Sequence, residues 1–249
     1  NTQFALLALG AAYDRGVEVD PVVFQRSQDY WKQLLRDGGW AYPGRNNSGS
    51  MTCAGIASVI IARGRLGRGS SNIQGDQIEC CGGADEESDP VEEGLNWLAK
   101  NFSLQVNPGG SEHTLFYYLY ALERVGRLSG RRFIGDHDWY REGAARLLEM
   151  RDAFQGFWRG AGSLESQEIA TSFALLFLSK GKRQVVIGRL KYPERQSTGN
   201  WHQHPDSLRQ LVRHVEYQWR RDMTWQTIEL AGARLQDLLQ SPVLVIRGN

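Results

Sequence analysis

Cysteine is scarce: the chain has three in 249 residues, and two of them, Cys80 and Cys81, are adjacent. That number excludes a disulfide framework. Cys53 lies in an apolar run and reads as a buried thiol, so cysteine usage leaves the cellular compartment open. Long hydrophobic runs are missing too. No apolar run reaches the roughly 18 residues that a membrane-spanning helix needs, so no membrane span is expected, and no secretory signal is visible. Neither sign of charge is in excess, with 29 Lys and Arg against 28 Asp and Glu for a formal net charge of +1. No bulk field therefore recruits nucleic acid or an acidic membrane. Arg209, Arg213, Arg220 and Arg221 alternate with Leu, Val and Trp at helical spacing. They describe a solvated or domain-facing surface rather than the dense basic patch of a nucleic-acid binder. No phosphate-binding glycine loop and no Ser-His-Asp order stands out.

What is present is apolar and aromatic. Hydrophobic residues make up 41% of the chain, with eight Trp, nine Tyr and nine Phe, enough to fill a core or line a cavity. Thr2, Thr52, Thr114 and Thr171 each precede a long apolar segment. Their spacing of roughly 50–60 positions suggests a helical repeat. The segments are apolar nearly all round, which predicts helices buried on several sides. Between them lie amphipathic stretches opened by Asp20-Pro21, Asp89-Pro90 and Asp138. Asp caps a helix by accepting an orphan backbone N–H, and Pro fits the first helical position. Gly38-Gly39 and Gly156 precede Trp40 and Phe157-Trp158, which predicts a helix end and an aromatic turn.

The rhythm breaks at residues 67–88, rich in Gly, Ser and acid, which read as an inserted surface loop. It stops after Lys180. Gly181–Tyr192 reads as a basic extended segment, Pro193–Pro205 as a polar linker, and Ser207–Arg221 as a helix capped by Asp206. Thr224–Gln240 reads as a further helical or irregular stretch. The run Ser241–Ile246 reads as a short buried strand, without a partner in the remaining chain. With Asn1 opening directly on an apolar helix pattern, the chain is expected to be part of a longer one.

The motif Gly39-Trp40 followed by Ser50-Met51-Thr52-Cys53-Ala54-Gly55, and again Gly156-Phe157-Trp158 followed by Ala170-Thr171, resembles the repeat of squalene cyclases and protein prenyltransferase β subunits. The resemblance covers about residues 1–181. It implies an all-α fold: an α/α-toroid-like array of antiparallel helix hairpins around a central apolar cavity. A full ring of that family has about five to seven hairpins; this chain supplies three to four, so the ring is expected to be incomplete. The C-terminal part, from Leu208 to Ile246, is similar to an uncharacterised bacterial family in which such repeats precede an α/β domain. The expected organisation is a toroid domain at 1–181, a linker at 182–205, and a helical segment at 206–249 leading into a truncated further domain.

Against that family the chemistry is incomplete. The D-x-D-D acid of class II terpene cyclases has its nearest counterpart in Asp136-His137-Asp138, which lacks the last Asp. Asp136 and Asp138 are therefore weak catalytic candidates, and Asp138 also suits a helix N-cap. The prenyltransferase zinc site needs an Asp two positions before a Cys, but those positions hold Met51, Ile78 and Glu79. Cys80, Cys81 and Asp76 with His113 or His137 could assemble a site only by long-range folding, and an exposed loop is the simpler reading. His202 and His204 are a weak pair. The thioester signature of complement-like toroids is absent. No metal and no cofactor is expected.

The aromatic residues are the remaining ligand candidates. By the resemblance, aromatic faces line the family's cavity, and Trp40, Tyr42, Tyr118 and Trp158 are the positions expected to contact a ligand. Two functions follow. One is a cyclase- or prenyltransferase-like domain that binds an apolar isoprenoid-type small molecule, with no catalysis evident. The other is a non-catalytic helical scaffold for a protein or peptide partner.

Overall fold

The computed structural model describes residues 2–66, 72–74, 77–79, 89–179, 184–192 and 207–246. They fall into two compact units, one reaching to Asn101 and taking in Pro108–Gly110, the other formed by Phe102–Asn107 and the chain from Ser111 on.

The first unit is built on α3 (Gly49–Arg65), which packs against α1 (Thr2–Asp14), α2 (Pro21–Leu34) and α4 (Pro90–Lys100). Every residue from Thr52 to Ala62 is buried. This explains why α3 is apolar on all sides, as a helix with neighbours around it must be. The capping predicted for the amphipathic helices is present: Asp20 accepts the N–H of Val22 at 2.9 Å and Asp89 that of Val91 at 3.0 Å, each with Pro next in sequence. In the inserted stretch, β1 (Asn72–Gln74) and β2 (Gln77–Glu79) pair antiparallel, with Ile73 opposite Ile78.

Of the recurring Thr residues, Thr2 begins α1 and Thr114 stands at the N-cap of the helix Leu115–Ser129, whereas Thr52 and Thr171 lie inside their helices. Ser48 caps α3, and Thr52 lies a turn inside, where its Oγ1 accepts the backbone N–H of Trp40 at 3.2 Å. Trp40 is fully buried, and its indole N–H donates to the carbonyl of Trp31 at 2.7 Å. The aromatic turn thus ties the end of α2 to the start of α3.

The second unit repeats that device and adds a sheet. Its helices are α5 (Leu115–Ser129), α6 (Trp139–Glu149) and α7 (Gln167–Ser179), with α5 packed on both others. Trp158 donates its indole N–H to Leu147 O at 2.6 Å and its backbone N–H to Thr171 Oγ1 at 3.1 Å. After α7 come β3 (Gln184–Lys191), α8 (Ser207–Trp219), β4 (Met223–Glu229), the short α9 (Leu235–Leu238) and β5 (Val243–Val245). The three strands form a parallel sheet in the order β4-β3-β5. Helix α8 lies against β3 and β4, and Leu208 and Val212 join Met223 and Trp225 in a core cluster.

The fold is therefore a mixed α/β fold, and the all-α expectation, with its toroid-like array and purely helical C-terminal extension, is corrected. The central strand lies within 182–205. Met223–Glu229, expected as helical or irregular, is a strand, and β5 has a partner after all, with Ile187 opposite Val243. It is not buried either: Val243 and Leu244 are 49% and 42% exposed. The cause is physical. Val185-Val186-Ile187 and Thr224-Trp225-Gln226-Thr227-Ile228 are rich in β-branched and aromatic residues, which fit a pleated surface. Their pairing is parallel and spans an intervening helix, so no local turn signal announces it. Among the described residues no helix is long and apolar enough to cross a membrane.

Candidate functional site

The last turn of α5 carries two glycines one helical turn apart, and each seats an indole. A Cβ at Gly126 would lie 2.2 Å from the ring of Trp139, and one at Gly130 would lie 2.4 Å from that of Trp225. Both rings occupy space that any side chain would fill. Four residues of helical rise, ~6 Å, separate the two seats. Trp139 opens α6 and donates its indole N–H to Arg131 O at 2.7 Å. Trp225 arrives on β4, which is stitched to the same segment. The N–H of Arg132 donates to Thr227 O at 3.1 Å, and the N–H of Thr227 donates to the carbonyl of Gly130.

Here the second unit forms a half-open cavity of about 250 Å³. Trp139, Tyr140 and Trp225 give it aromatic surface. Charge comes from Glu123, Arg127, Arg131 and Arg132, and Gln226 and Gln240 contribute amides. Arg127 Nε is 4.0 Å from Glu123 Oε1 on the next turn of α5. Arg132 is held from outside the cavity, its Nη2 2.5 Å from Asp138 Oδ2 and 3.7 Å from Asp237 Oδ1.

Two donors of these lining residues have no acceptor among the described residues, the Nε–H of Arg132 and the amide nitrogen of Gln226, and both atoms are buried away from the open space of the cavity. Gln226 is only 7% exposed. A buried donor left unmade costs ~1–3 kcal/mol, and native interiors hold few of them.

Of the two candidate acids, Asp136 is exposed in the turn between Ile134 and His137, which bridge each other. Asp138 caps α6, accepting the N–H of Arg141 at 3.2 Å, and pairs with Arg132. Burial raises its pKa, against the lowering influence of Arg132 and the capping hydrogen bond, with Asp237 adding to the rise. A second acid, Glu165, is 2% exposed in the 3-10 turn Ser163–Glu165. Its Oε1 accepts the N–H of Tyr117 at 2.8 Å, so it caps α5 from a distant element. Burial raises its pKa, and the nearby backbone N–H groups at the start of α5, that of Tyr117 first, pull it down.

Of the four aromatic candidates, Trp40 and Tyr42 belong to the first unit and Tyr118 and Trp158 to the second. Trp40 and Tyr118 are 0% exposed, Trp158 is buried between α6 and α7, and Tyr42 is 54% exposed. None of them lines the cavity. Cys80, Cys81, Asp76, His202 and His204 lie outside the described residues. His113 contacts the carbonyl of Ala161 through Nδ1, and His137 stacks on Phe102 and lies 3.0 Å from Glu142 Oε2. Among the described residues no group of three or more His, Cys, Asp or Glu could hold a metal ion. Cys53 is free and buried, and burial pushes its thiol pKa up.

Gln226, Arg132, Trp225 and the glycine pair are absent from the sequence-based candidates. The pair Gly126-x-x-x-Gly130 was legible as a place where something approaches α5 closely; Gln226 carries no local signal. Comparison with family models, curated proteins and solved structures finds no match to this chain.

Proposed function

We propose that this chain is a binding domain that holds a small molecule with an apolar or aromatic body in the cavity of its second unit and performs no chemistry on it. The observation that carries this reading is the seating of Trp139 and Trp225 on Gly126 and Gly130 at the edge of a cavity that also has Tyr140 and a few polar side chains, Gln226 and Gln240 among them, in its lining. Recognition sites combine apolar walls with a few placed polar groups in this way. The acids that a cyclase-like reaction would draw on are committed elsewhere, Asp138 to α6 and Arg132, Glu165 to the start of α5. The isoprenoid-type ligand implied by the family resemblance enters this reading in a short form. A volume of about 250 Å³ lies below the ~300–1,000 Å³ of drug-sized sites, so a single ring or a short isoprenyl chain fits.

The test is tryptophan emission and native mass spectrometry of the chain with indole, toluene, prenol and geraniol as probes. At least one probe is expected to shift the emission and remain bound in the gas phase, with both effects reduced in Trp225→Leu. No response to any of the four counts against the reading.

Partner binding is a second reading, favoured by α7, where Ile169, Leu175 and Leu176 are 41%, 54% and 42% exposed. Exposed apolar clusters of this kind mark interaction surfaces. The occupant fitting such a stripe is an amphipathic helix of a protein partner. Leu175→Glu with Leu176→Glu separates the two readings: it abolishes co-purification of a partner under the second and leaves probe binding unchanged under the first.

A further inference from the structure

We infer that the exposed stripe of α7 is the seat of an amphipathic helix from a partner protein, one with a small residue at its centre and acid in its first half, docked as α4 is docked on α3. This inference rests on the partner reading above, is independent of the small-molecule reading, and names the partner's chemistry and its place.

Helices α3 and α7 correspond position by position. Thr52 and Thr171 each accept the backbone N–H of a Trp in the turn before them, and the glycines two residues ahead of those Trp, Gly38 and Gly156, have φ of +73° and +74°. The neighbours correspond as well: α1 and α2 pack on α3, and α5 and α6 pack on α7. Helix α3 has a third neighbour, α4. Among the described residues α7 has no close counterpart of it. Burial records the difference. Ser50, Cys53, Ile56, Ala57 and Ile60 of α3 are buried. At the same distances from Thr171 stand Ile169, Ser172, Leu175, Leu176 and Ser179, all exposed. They recur at helical spacing and so form one stripe.

On α3 the cover over this face is α4. A Cβ at Gly94 would lie 2.6 Å from Ile56 Cγ1 and 2.8 Å from the Trp40 ring, so the α4 backbone comes this close only through a glycine. Leu175 is the match of Ile56 and is similar in bulk, so it calls for a small residue opposite. Helix α4 also crosses Gly38, where the atom nearest to a Cβ would be the carbonyl oxygen of Glu93, at 3.4 Å. At Gly156 the nearest atom is instead Nη2 of Arg151, at 3.1 Å. Arg151 is exposed, and a guanidinium at this end of the stripe favours a carboxylate on the docked helix. Helix α4 itself carries Glu92 and Glu93 in its first turn. It runs antiparallel to α3, since its cap Asp89 meets Arg63 in the last turn of α3 at 3.0 Å. The same sense on α7 keeps an acidic first turn away from Glu168, at the other end of the stripe.

The probe is a labelled peptide of residues 89–101 of this chain, stapled across the positions of Asn96 and Lys100, which α4 leaves exposed. The staple supplies the helicity that so short a peptide lacks in water. In the whole chain α3 is already covered, so the face open to the peptide is that of α7. Fluorescence anisotropy reads binding to the wild type and to Leu175→Glu, whose fold circular dichroism checks. The expected result is binding at least tenfold tighter to the wild type than to Leu175→Glu, a similar loss for a Gly94→Leu peptide, and a smaller loss for a Glu92→Lys, Glu93→Lys peptide. No binding to the wild type, or binding that Leu175→Glu leaves unchanged, overturns the inference. If the peptide fails but Leu175→Glu with Leu176→Glu still abolishes co-purification of a partner, the partner reading stands and only the helix is overturned. Equal binding of the Gly94→Leu peptide overturns the small central residue, and equal binding of the Lys peptide overturns the acid. Sedimentation of the chain alone covers the remaining occupant: a wild-type dimer that Leu175→Glu makes monomeric places a second copy on the stripe and overturns the partner helix.

Discussion

The backbone of Trp158 and the hydroxyl of Thr171 hold each other from both sides. The Trp158 N–H donates to Thr171 Oγ1 at 3.1 Å, and that hydroxyl donates back to the Trp158 carbonyl at 3.2 Å. Trp40 and Thr52 make the first of these bonds in the other unit, at 3.2 Å. In both places the indole N–H finds a carbonyl of the preceding helix. The repeated Gly-aromatic…Thr grammar thus has a structural meaning: Trp wedges between two helices, and Thr supplies the polar partner that lets the turn's backbone be buried.

Removing the hydroxyl isolates that contribution. Thr52→Val leaves the buried N–H of Trp40 without an acceptor and should cost about 1–3 kcal/mol, a fall in melting temperature of roughly 2–4 °C per kcal/mol for a chain of this size. Thr52→Ser should restore most of the loss. Thermal denaturation followed by circular dichroism reads both, and a Val variant as stable as the wild type would show that the bond carries no weight.

Gly55 is the counterpart on the other side of the Trp40 ring. A Cβ there would stand 2.2 Å from Trp40, in a core with no room to yield. Gly55→Ala should therefore destabilise by about 1–3 kcal/mol through overpacking, although Ala is the better helix former. Three residues after Thr171, Ala174 occupies the matching place in α7 and is itself buried, so Ala174→Gly should cost only about 1 kcal/mol through helix propensity. Urea midpoints for the two variants check the asymmetry.

Much of the helical part was legible in the sequence because its signals are local. Asp20, Asp89 and Asp138 cap the helices they precede, and the apolar run of α3 marks a helix with neighbours on several sides. Thr52 and Thr171 are visible as recurrent, but their role depends on a Trp a dozen residues away, so the sequence shows them only as preceding an apolar segment. The sheet was hidden for a related reason. Gln184–Lys191 and Met223–Glu229 meet only after α8 folds across them, and parallel pairing leaves no hairpin turn to find. The cavity depends on three elements at once, α5, α6 and β4. Of the aromatic candidates, Trp40, Tyr42 and Trp158 stand in turns and Tyr118 inside α5, whereas Trp139 and Trp225 meet α5 from a helix start and from a strand.

Glu165 gives a prediction in pH. Its pKa in the fold is raised, chiefly by burial, so the folded chain binds a proton more tightly than the unfolded chain does. Stability from this group is fully present below the ordinary glutamate value and is lost as pH rises through the raised one. Glu165→Gln mimics the protonated form and keeps an oxygen for the N–H of Tyr117. The variant should match the wild type near pH 4 and exceed it at pH 7, with a flatter dependence between. Urea unfolding at both pH values measures this, and a variant less stable at pH 7 would mean that the capping charge outweighs its burial.

Asp138 separates a structural acid from a reactive one. It accepts the N–H of Arg141 and holds Arg132, and Arg132 is one of the residues that line the cavity. Asp138→Ala removes the cap, worth about 0.5–2 kcal/mol, and leaves Arg132 to Asp237 alone, so both stability and probe binding should fall. Asp138→Asn keeps a capping oxygen and should recover most of the stability. Because it also restores the local structure around Arg132, probe binding should return with stability. Melting curves and calorimetry on the same samples read the two effects separately. Loss of probe binding in a fully stable Asp138→Asn would instead tie binding to the Asp138 carboxylate itself.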